Sequence, residues 1–358
     1  MRLMVAILFL FLILTLVGYP FEANLKIIRL KEVTRIQDTE GTFYFKNPSK
    51  VCVDSTGNVY ILDSSRILQF DSKGNYIKNF LKKGEGPGEI SWVSSFCVTG
   101  ESVIVYNLHP QKIIRFDTRG EYVEEFRFNR QSFMIFVSSL GDVHYFLGQD
   151  VLHGQSNGYA DVPHEFLGVS GKGIKMDTMF TIPLKKYLVG SGGARGSFDI
   201  AELHFVVIQK RYLILAHTER YGIKIYDLTT GKIVREFSRE YRPIPIPSHL
   251  MEKFNGSKVI LNGTVYKKPS IEYFNDIRCL LESRGNVWIV TSSVNEKKGV
   301  LTDVIDLEGK YIDRFYLQLG VHTDYYIPNW FVHHEFLYAI EQSSDYESCV
   351  VKYRIDYP

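Results

Sequence analysis

The stretch "KVCVDSTGNVYILDSSRILQFDSKGNYIKNF", Lys50 to Phe80, holds four short apolar runs, "KVCV", "NVYIL", "ILQF" and "YIKNF", separated by "DSTG", "DSSR" and "DSKGN". Runs of β-branched and aromatic residues broken by Asp, Ser and Gly predict successive antiparallel strands joined by tight turns. One such unit cannot bury its own apolar face and needs neighbours of the same kind. The next follows at once as "SFCVTGESVIVYNLHPQKIIRFDTRGEYVEEF", Ser95 to Phe126.

The second half of the unit recurs as "IIRFDTRGEYVEEF" from Ile113, "IKIYDLTTGKIVREF" from Ile223 and "VIDLEGKYIDRF" from Val304. The first half recurs at Glu101, Gly141, Lys210, Gly285 and His334, giving six copies. Their spacing is about 40 residues where compact, the period of a four-stranded propeller blade. We therefore expect an all-β fold, a six-bladed β-propeller of four-stranded antiparallel blades. The last unit, ending in "CVVKYRIDYP", leaves room for three strands. "NLKIIRLKEVTRI", Asn24 to Ile36, supplies the fourth, which closes the ring and removes exposed sheet edges.

"NPSKVCVDSTGNVYILDSSRILQFDSKGNYIKNF" followed by "GEGPGEI" resembles the NHL-type repeats of six-bladed propellers. It is similar in particular to exported bacterial propeller proteins that carry a G-x-G-P-G-E corner between blades. The resemblance implies a fold and leaves function open, because such proteins include binding platforms and lyases. "FLKKGEGPGEI", Phe80 to Ile90, could also be taken for a phosphate loop, but no helix follows it. It sits where the chain leaves one outer strand for the next inner strand, so a blade corner is expected.

The 358 residues, 45% apolar and 14% aromatic, suffice for a large core, and the formal charge of +2 argues against a dedicated nucleic-acid binder. Arg2 precedes the apolar run Leu3–Val17, which matches a secretory signal core or a retained membrane anchor. Residues 1–23 are accordingly set apart from a propeller at 24–358, whose body is expected outside the cytoplasm, with membrane contact only through that first segment. Cys52, Cys97, Cys279 and Cys349 lack metal or redox spacing, and free buried thiols are expected.

Insertions are unevenly distributed. Connections between first and second strands, and between third and fourth, are short turns. The opposite face receives Gly148–Glu165, Pro183–Asp199 and Ser238–Asp276. A scaffold with one plain and one elaborated face does its work on the latter. Trp92, Arg195, Asp199, Tyr241, Arg242, Tyr273, Asn275 and Asn329 are the candidate ligand-binding residues there, since aromatic and Arg side chains suit a polar or anionic partner. The partner class is a protein, peptide or glycan.

The alternative is a metal-dependent lyase or lactonase-type hydrolase at the channel mouth; a lactonase-type pattern needs acidic and Asn ligands, which Glu202, Asn275 and Asn329 do not match distinctively. Ten histidines occur, yet none has metal-ligand spacing, and the adjacent His333 and His334 should point to opposite faces of a strand. No nucleophile elbow is present. No catalytic residue, metal ligand or cofactor is assigned. Asp54, Asp63, Asp71, Asp117, Asp227 and Asp306 recur at repeat positions and are expected to accept turn N–H bonds.

Overall fold

The computed structural model describes residues 25–38, 41–130, 132–150, 157–170, 175–218, 221–318, 330–342 and 347–357. Blade 1 comprises Pro48–Val53, Val59–Asp63, Arg66–Phe70 and Tyr76–Asn79, an antiparallel sheet in chain order. Blade 2 (Val93–Thr99 to Tyr122–Arg127), blade 4 (Leu203–Ile208 to Lys232–Ser238) and blade 5 (Ile277–Ser283 to Tyr311–Gln318) repeat it. Blade 6 takes Trp330–His333, Phe336–Gln342 and Ser348–Asp356, and its outer strand is Lys26–Ile36, antiparallel to Ser348–Asp356. The ring is closed by the N-terminal strand, as expected. That strand also runs parallel to blade 5's outer strand at its start, Lys26 opposite Phe315, and so ties two blades into one sheet.

Six apolar clusters hold the ring, each drawing residues from two adjoining blades. Between blades 1 and 2, for example, Tyr60, Ile67 and Phe80 meet Phe96, Val105 and Phe116. Between blades 6 and 1, Tyr338 and Val350 meet Val51, Ile61 and Phe70. The alternation along each strand thus feeds both neighbouring seams, and no blade has an apolar face of its own to cover elsewhere.

The turn aspartates hold the plain face together. Asp54 accepts from Thr56 N and Asn58 N at 2.9 Å each, Asp71 from Asn75 N at 2.8 Å, Asp117 from Glu121 N at 2.9 Å and Asp306 from Lys310 N at 2.7 Å. Burial alone would raise the Asp54 carboxyl, but hydrogen bonds from Thr56 and Asn58 outweigh it and hold the group below the ordinary carboxylate range. Asp63 differs. It lies at the other end of its blade and accepts from Lys46 N at 2.8 Å and Asn47 N at 2.6 Å, where the chain enters the inner strand. Asn107 does the same in blade 2 for Trp92 N at 2.8 Å, and Thr218 in blade 4 for Glu202 N at 2.7 Å.

The Gly-rich segment is a corner. Lys82–Lys83 pairs with Glu89–Ile90, and the amides that an anion would need are already taken. Gly86 N donates to Glu89 Oε2 at 3.1 Å and Gly88 N to Glu125 Oε2 at 3.0 Å. Gly88 is required there, since its φ is +70° and a Cβ would lie 2.8 Å from the Tyr122 ring. Beneath it the wholly buried Lys112 donates from Nζ to Glu125 Oε2 and Gly86 O, both at 3.0 Å.

Two expectations need correction, the strand number of blade 3 and the facing of His333 and His334. Blade 3 has five strands, Ser132–Leu140, Val143–Asp150, Gly158–Ser170, Lys175–Ser191 and Ala194–Asp199, because the Pro183–Asp199 insertion extends its outer strand and folds it back. Asp199 therefore ends a strand of blade 3, and the inner strand of blade 4 starts at Leu203. His333 ends its strand, His334 turns away at φ 55°, and the two rings contact at 4.2 Å between centroids instead of facing apart. The four cysteines are unpaired, and burial pushes the thiols of Cys97 and Cys279 up to about 12.

Candidate functional site

The insertions meet above blades 3, 4 and 5. The returned strand Ala194–Asp199 carries Arg195, whose side chain lies along Gly190, where a Cβ would stand 2.2 Å from Nη1. The blade 4-to-5 excursion contains a short helix, Met251–Asn255, and a hairpin, Lys258–Leu261 with Thr264–Lys267. Asn262 and Gly263 form its two-residue loop, both at positive φ (48° and 78°), which matches the right-handed twist of the strands. The hairpin packs on blade 3's extension: Asn262 Nδ2 donates to Ser191 O at 2.8 Å and Tyr266 OH to Gly190 O at 3.0 Å. The Pro-rich stretch pairs with the end of its own excursion, Ile246 N donating to Glu272 O and Phe274 N to Ile244 O.

Beside these insertions lies a cleft of about 60 Å³ at the entry to the inner strands of blades 4 and 5. Asp199, Glu202, His204, Lys268, Asn275 and Arg278 supply its polar groups. Phe254 and Phe274, edge to face at 5.1 Å, and Ile271 wall it. Asn255 fixes the helix by accepting from Ile271 N at 2.8 Å and donating to Ile271 O at 3.1 Å. Lys186, itself nearly buried, holds Asp199 at 2.7 Å and donates to Gln149 at 2.6 Å, so blade 3 positions one cleft carboxylate.

Glu202 and His204 stand two residues apart, Oε2 to Nε2 4.0 Å. Burial raises the Glu202 carboxyl, with Lys268 pulling it down and Asp199 pushing it further up. Burial lowers the His204 imidazole to about 4, partly offset by its hydrogen bond at the Ile277 backbone. At neutral pH the imidazole is uncharged, so this pair accepts and donates hydrogen bonds without forming an ion pair. Among the described residues no cluster of three His, Cys, Asp or Glu side chains is placed to hold a metal.

Of the eight candidate residues, the cleft gathers Asp199 and Asn275. Arg242 and Tyr273 are exposed on the excursion beside it, Tyr273 next to the wall residue Phe274. Tyr241 is half-buried, its OH 3.2 Å from Ser293 Oγ and its ring against Tyr221, in a structural position. Trp92 stands apart at blade 2, edge to face with His109 at 6.0 Å. Asn329 lies outside the described residues.

His204 and Arg278 were not singled out from sequence, although each interrupts an apolar inner strand with a polar side chain, a signal that could have marked them. The hairpin is legible too: "KVILNGTVYK" alternates apolar residues about an Asn-Gly pair.

A family model, DUF5128, described as a 6-bladed beta-propeller, matches residues 29–179, that is the closing strand, blades 1 and 2 and most of blade 3. The fold defined here is accordingly that of a six-bladed propeller. Among solved structures, a member of the DUF4221 family from Bacteroides vulgatus is similar with a TM-score of 0.56 at 11% identity, covering 94% of this chain and 100% of that one. A candidate exported protein from Bacteroides fragilis is similar with a TM-score of 0.54 at 14% identity, covering 92% and 96%. Identities this low speak for the fold alone. No curated protein matches the chain.

Proposed function

We propose that this chain is an extracytoplasmic binding propeller that takes a protein, peptide or glycan partner at the cleft between blades 4 and 5. The observation that carries the reading is convergence: two separate insertions, from blade 3 and from the blade 4-to-5 connection, pack on each other, and both line one polar cleft, Asp199 from the first and Phe254, Lys268 and Ile271 from the second. Insertions that serve only as connections have no reason to meet. The size of the cleft favours a partner over a free metabolite. About 60 Å³ accommodates roughly four waters, hence a protruding side chain or sugar edge. Asp199, Lys268, Asn275 and Arg278 then select by hydrogen bonding, and Arg242 and Tyr273 extend the contact outward. The apolar run Leu3–Val17 behind Arg2 supports placing the body outside the cytoplasm.

The experiment is a peptide and glycan array probed with the wild-type protein and with Lys268→Glu and Asn275→Ala. Ligands lost by both variants, with unchanged thermal unfolding, support the cleft. A ligand profile indifferent to both substitutions would reject it.

A further inference from the structure

A second basin lies on the same face, between blades 1 and 2, with a volume of about 420 Å³. None of its residues lines the blade 4–5 cleft. Leu81 and Ile90, 8% and 2% exposed, form an apolar floor. Ser64, Ser65, Ser91 and Asn79 offer hydroxyl and amide groups around it, and Lys46, Arg66 and Lys83 bring three cations to it.

The charges do not cancel. The buried Asp63 carboxylate bonds Arg66 and two backbone amides, so that pair is spoken for. Arg66 also donates to Tyr44 O at 2.6 Å, while its Nε is buried with no partner. Lys46 and Lys83 have no carboxylate partner among the described residues, whereas the neighbouring Lys82 is held by Glu89 at 3.0 Å. The basin thus carries about two uncompensated positive charges. Tyr44, 60% exposed, stands at its rim with Arg66 and Lys46 at 5.1 and 5.6 Å from the ring centroid.

We propose that this basin binds an acidic saccharide, with a carboxylate or sulfate held between Lys46 and Lys83. A bare ion would leave most of the volume empty. The remaining chemistry describes the rest of the occupant: an apolar floor for the C–H face of a sugar ring, and hydroxyl and amide groups for its hydroxyls. Low ionic strength favours the contact, since both lysines are solvent-exposed and screened by salt. The site is independent of the blade 4–5 reading and stands or falls separately.

The test is isothermal titration of the full chain with a uronate oligosaccharide, a sulfated oligosaccharide, a neutral oligosaccharide of equal length, and a glutamate-rich peptide. Binding of one or both acidic saccharides, with the neutral one failing, is expected, and the arm that binds identifies the anion. Lys46→Gln with Lys83→Gln should weaken it at least tenfold, whereas Lys82→Gln and Lys268→Glu leave it unchanged. Absence of binding by either acidic saccharide overturns the proposal, as does equal binding of the neutral one. Equal binding of the peptide, or equal loss in Lys82→Gln, reduces the basin to a general cationic surface and also overturns it. Loss in Lys268→Glu alone moves the saccharide to the other cleft.

Discussion

The passage from blade 1 to blade 2 and the passage from blade 4 to blade 5 perform the same topological step in opposite ways. The first spends its short Gly-rich segment against the ring, the Gly86 and Gly88 amides met by carboxylates, those of Gly84 and Glu89 by backbone carbonyls, and a buried lysine beneath. The second stays on the ring only at its start, through Tyr241 on Ser293, then leaves it for a helix and a hairpin, and the hairpin's long-range bonds go to another insertion. Short corners are therefore part of the fold, and long excursions rest on it. Stability should follow the first kind and recognition the second.

The sharpest way to break this contrast is Lys112→Met. The substitution leaves Glu125, 11% exposed in its side chain, without its buried cation and takes from Gly86 O one of its two donors, the other being Glu89 N. Removing one partner of such a pair costs about 3 to 5 kcal/mol, while replacing both by apolar groups is near neutral. Urea unfolding should register that loss in Lys112→Met and recover most of it in the double variant with Glu125→Leu. A single-variant loss under about 1 kcal/mol would mean the corner is as loosely attached as the excursion.

A pH titration compares the plain face with the cleft through one histidine in each. His144, on the plain face with Nδ1 2.7 Å from Ser139 Oγ, and His204, in the cleft, are both lowered to about 4 by burial. The unfolded chain takes up these protons below about 6.5 and the folded one only near 4. Their contribution is thus fully present above the unfolded value and is lost as pH falls across that window, on the order of 3 kcal/mol for each. Asp276, raised by burial to about 6, works the other way, since its contribution is present in acid and lost as pH rises through 6. His144→Asn and His204→Asn should each flatten the stability curve between pH 4 and 6.5, and a curve unchanged in either would place that imidazole in solvent.

The plain face has its own gradation. Asp54 is 4% exposed and receives Thr56, Asn58 and Tyr60, whereas Asp306 is half-buried and receives Lys310. Asp54→Ala should cost about 2 to 3 kcal/mol and Asp306→Ala about 1, by chemical denaturation. Equal losses would show that burial does not separate the two turns.

Those aspartates also explain what sequence could reveal. The blade period is written in local chemistry: Asp-Gly turns fix hairpins, and the alternation between them fixes which residues enter a seam, so blade number and ring closure by Lys26–Ile36 were legible. Asp63 shows the limit. Its residue type fits a turn as well as the entry to an inner strand, and only the fold brings Lys46 and Asn47 to it. The cleft was less legible still. Asp199 and Asn275 lie 76 positions apart and meet because the returned strand of blade 3 ends beside the entries to blades 4 and 5. Arg195, equally plausible by type, folds along Gly190; the Gly192-Gly193 pair, both at positive φ, signals the hairpin that returns its strand, but not what the returned strand packs against. Contacts between insertions have no repeat to learn them from.

The smallest expected effect on stability belongs to the hairpin, and it makes the contrast most pointed. Ile260 and Val265 are cross-strand partners, 68% and 54% exposed, while Val259 on the opposite side packs near Gly196. Exposed side chains away from any cap, charge pair or core typically shift stability by no more than about 0.5 kcal/mol. Ile260→Thr with Val265→Thr keeps β-branching, and so the strand preference, while removing an apolar pair from water. Thermal unfolding should therefore be unchanged within that margin. The same double variant tested on the array measures how far the partner's footprint reaches past the cleft: reduced capture with intact unfolding assigns the pair to the binding surface, and full capture confines recognition to the cleft and its rim. A large loss of stability would instead mean that the hairpin supports the ring, and the division between corner and excursion would fail.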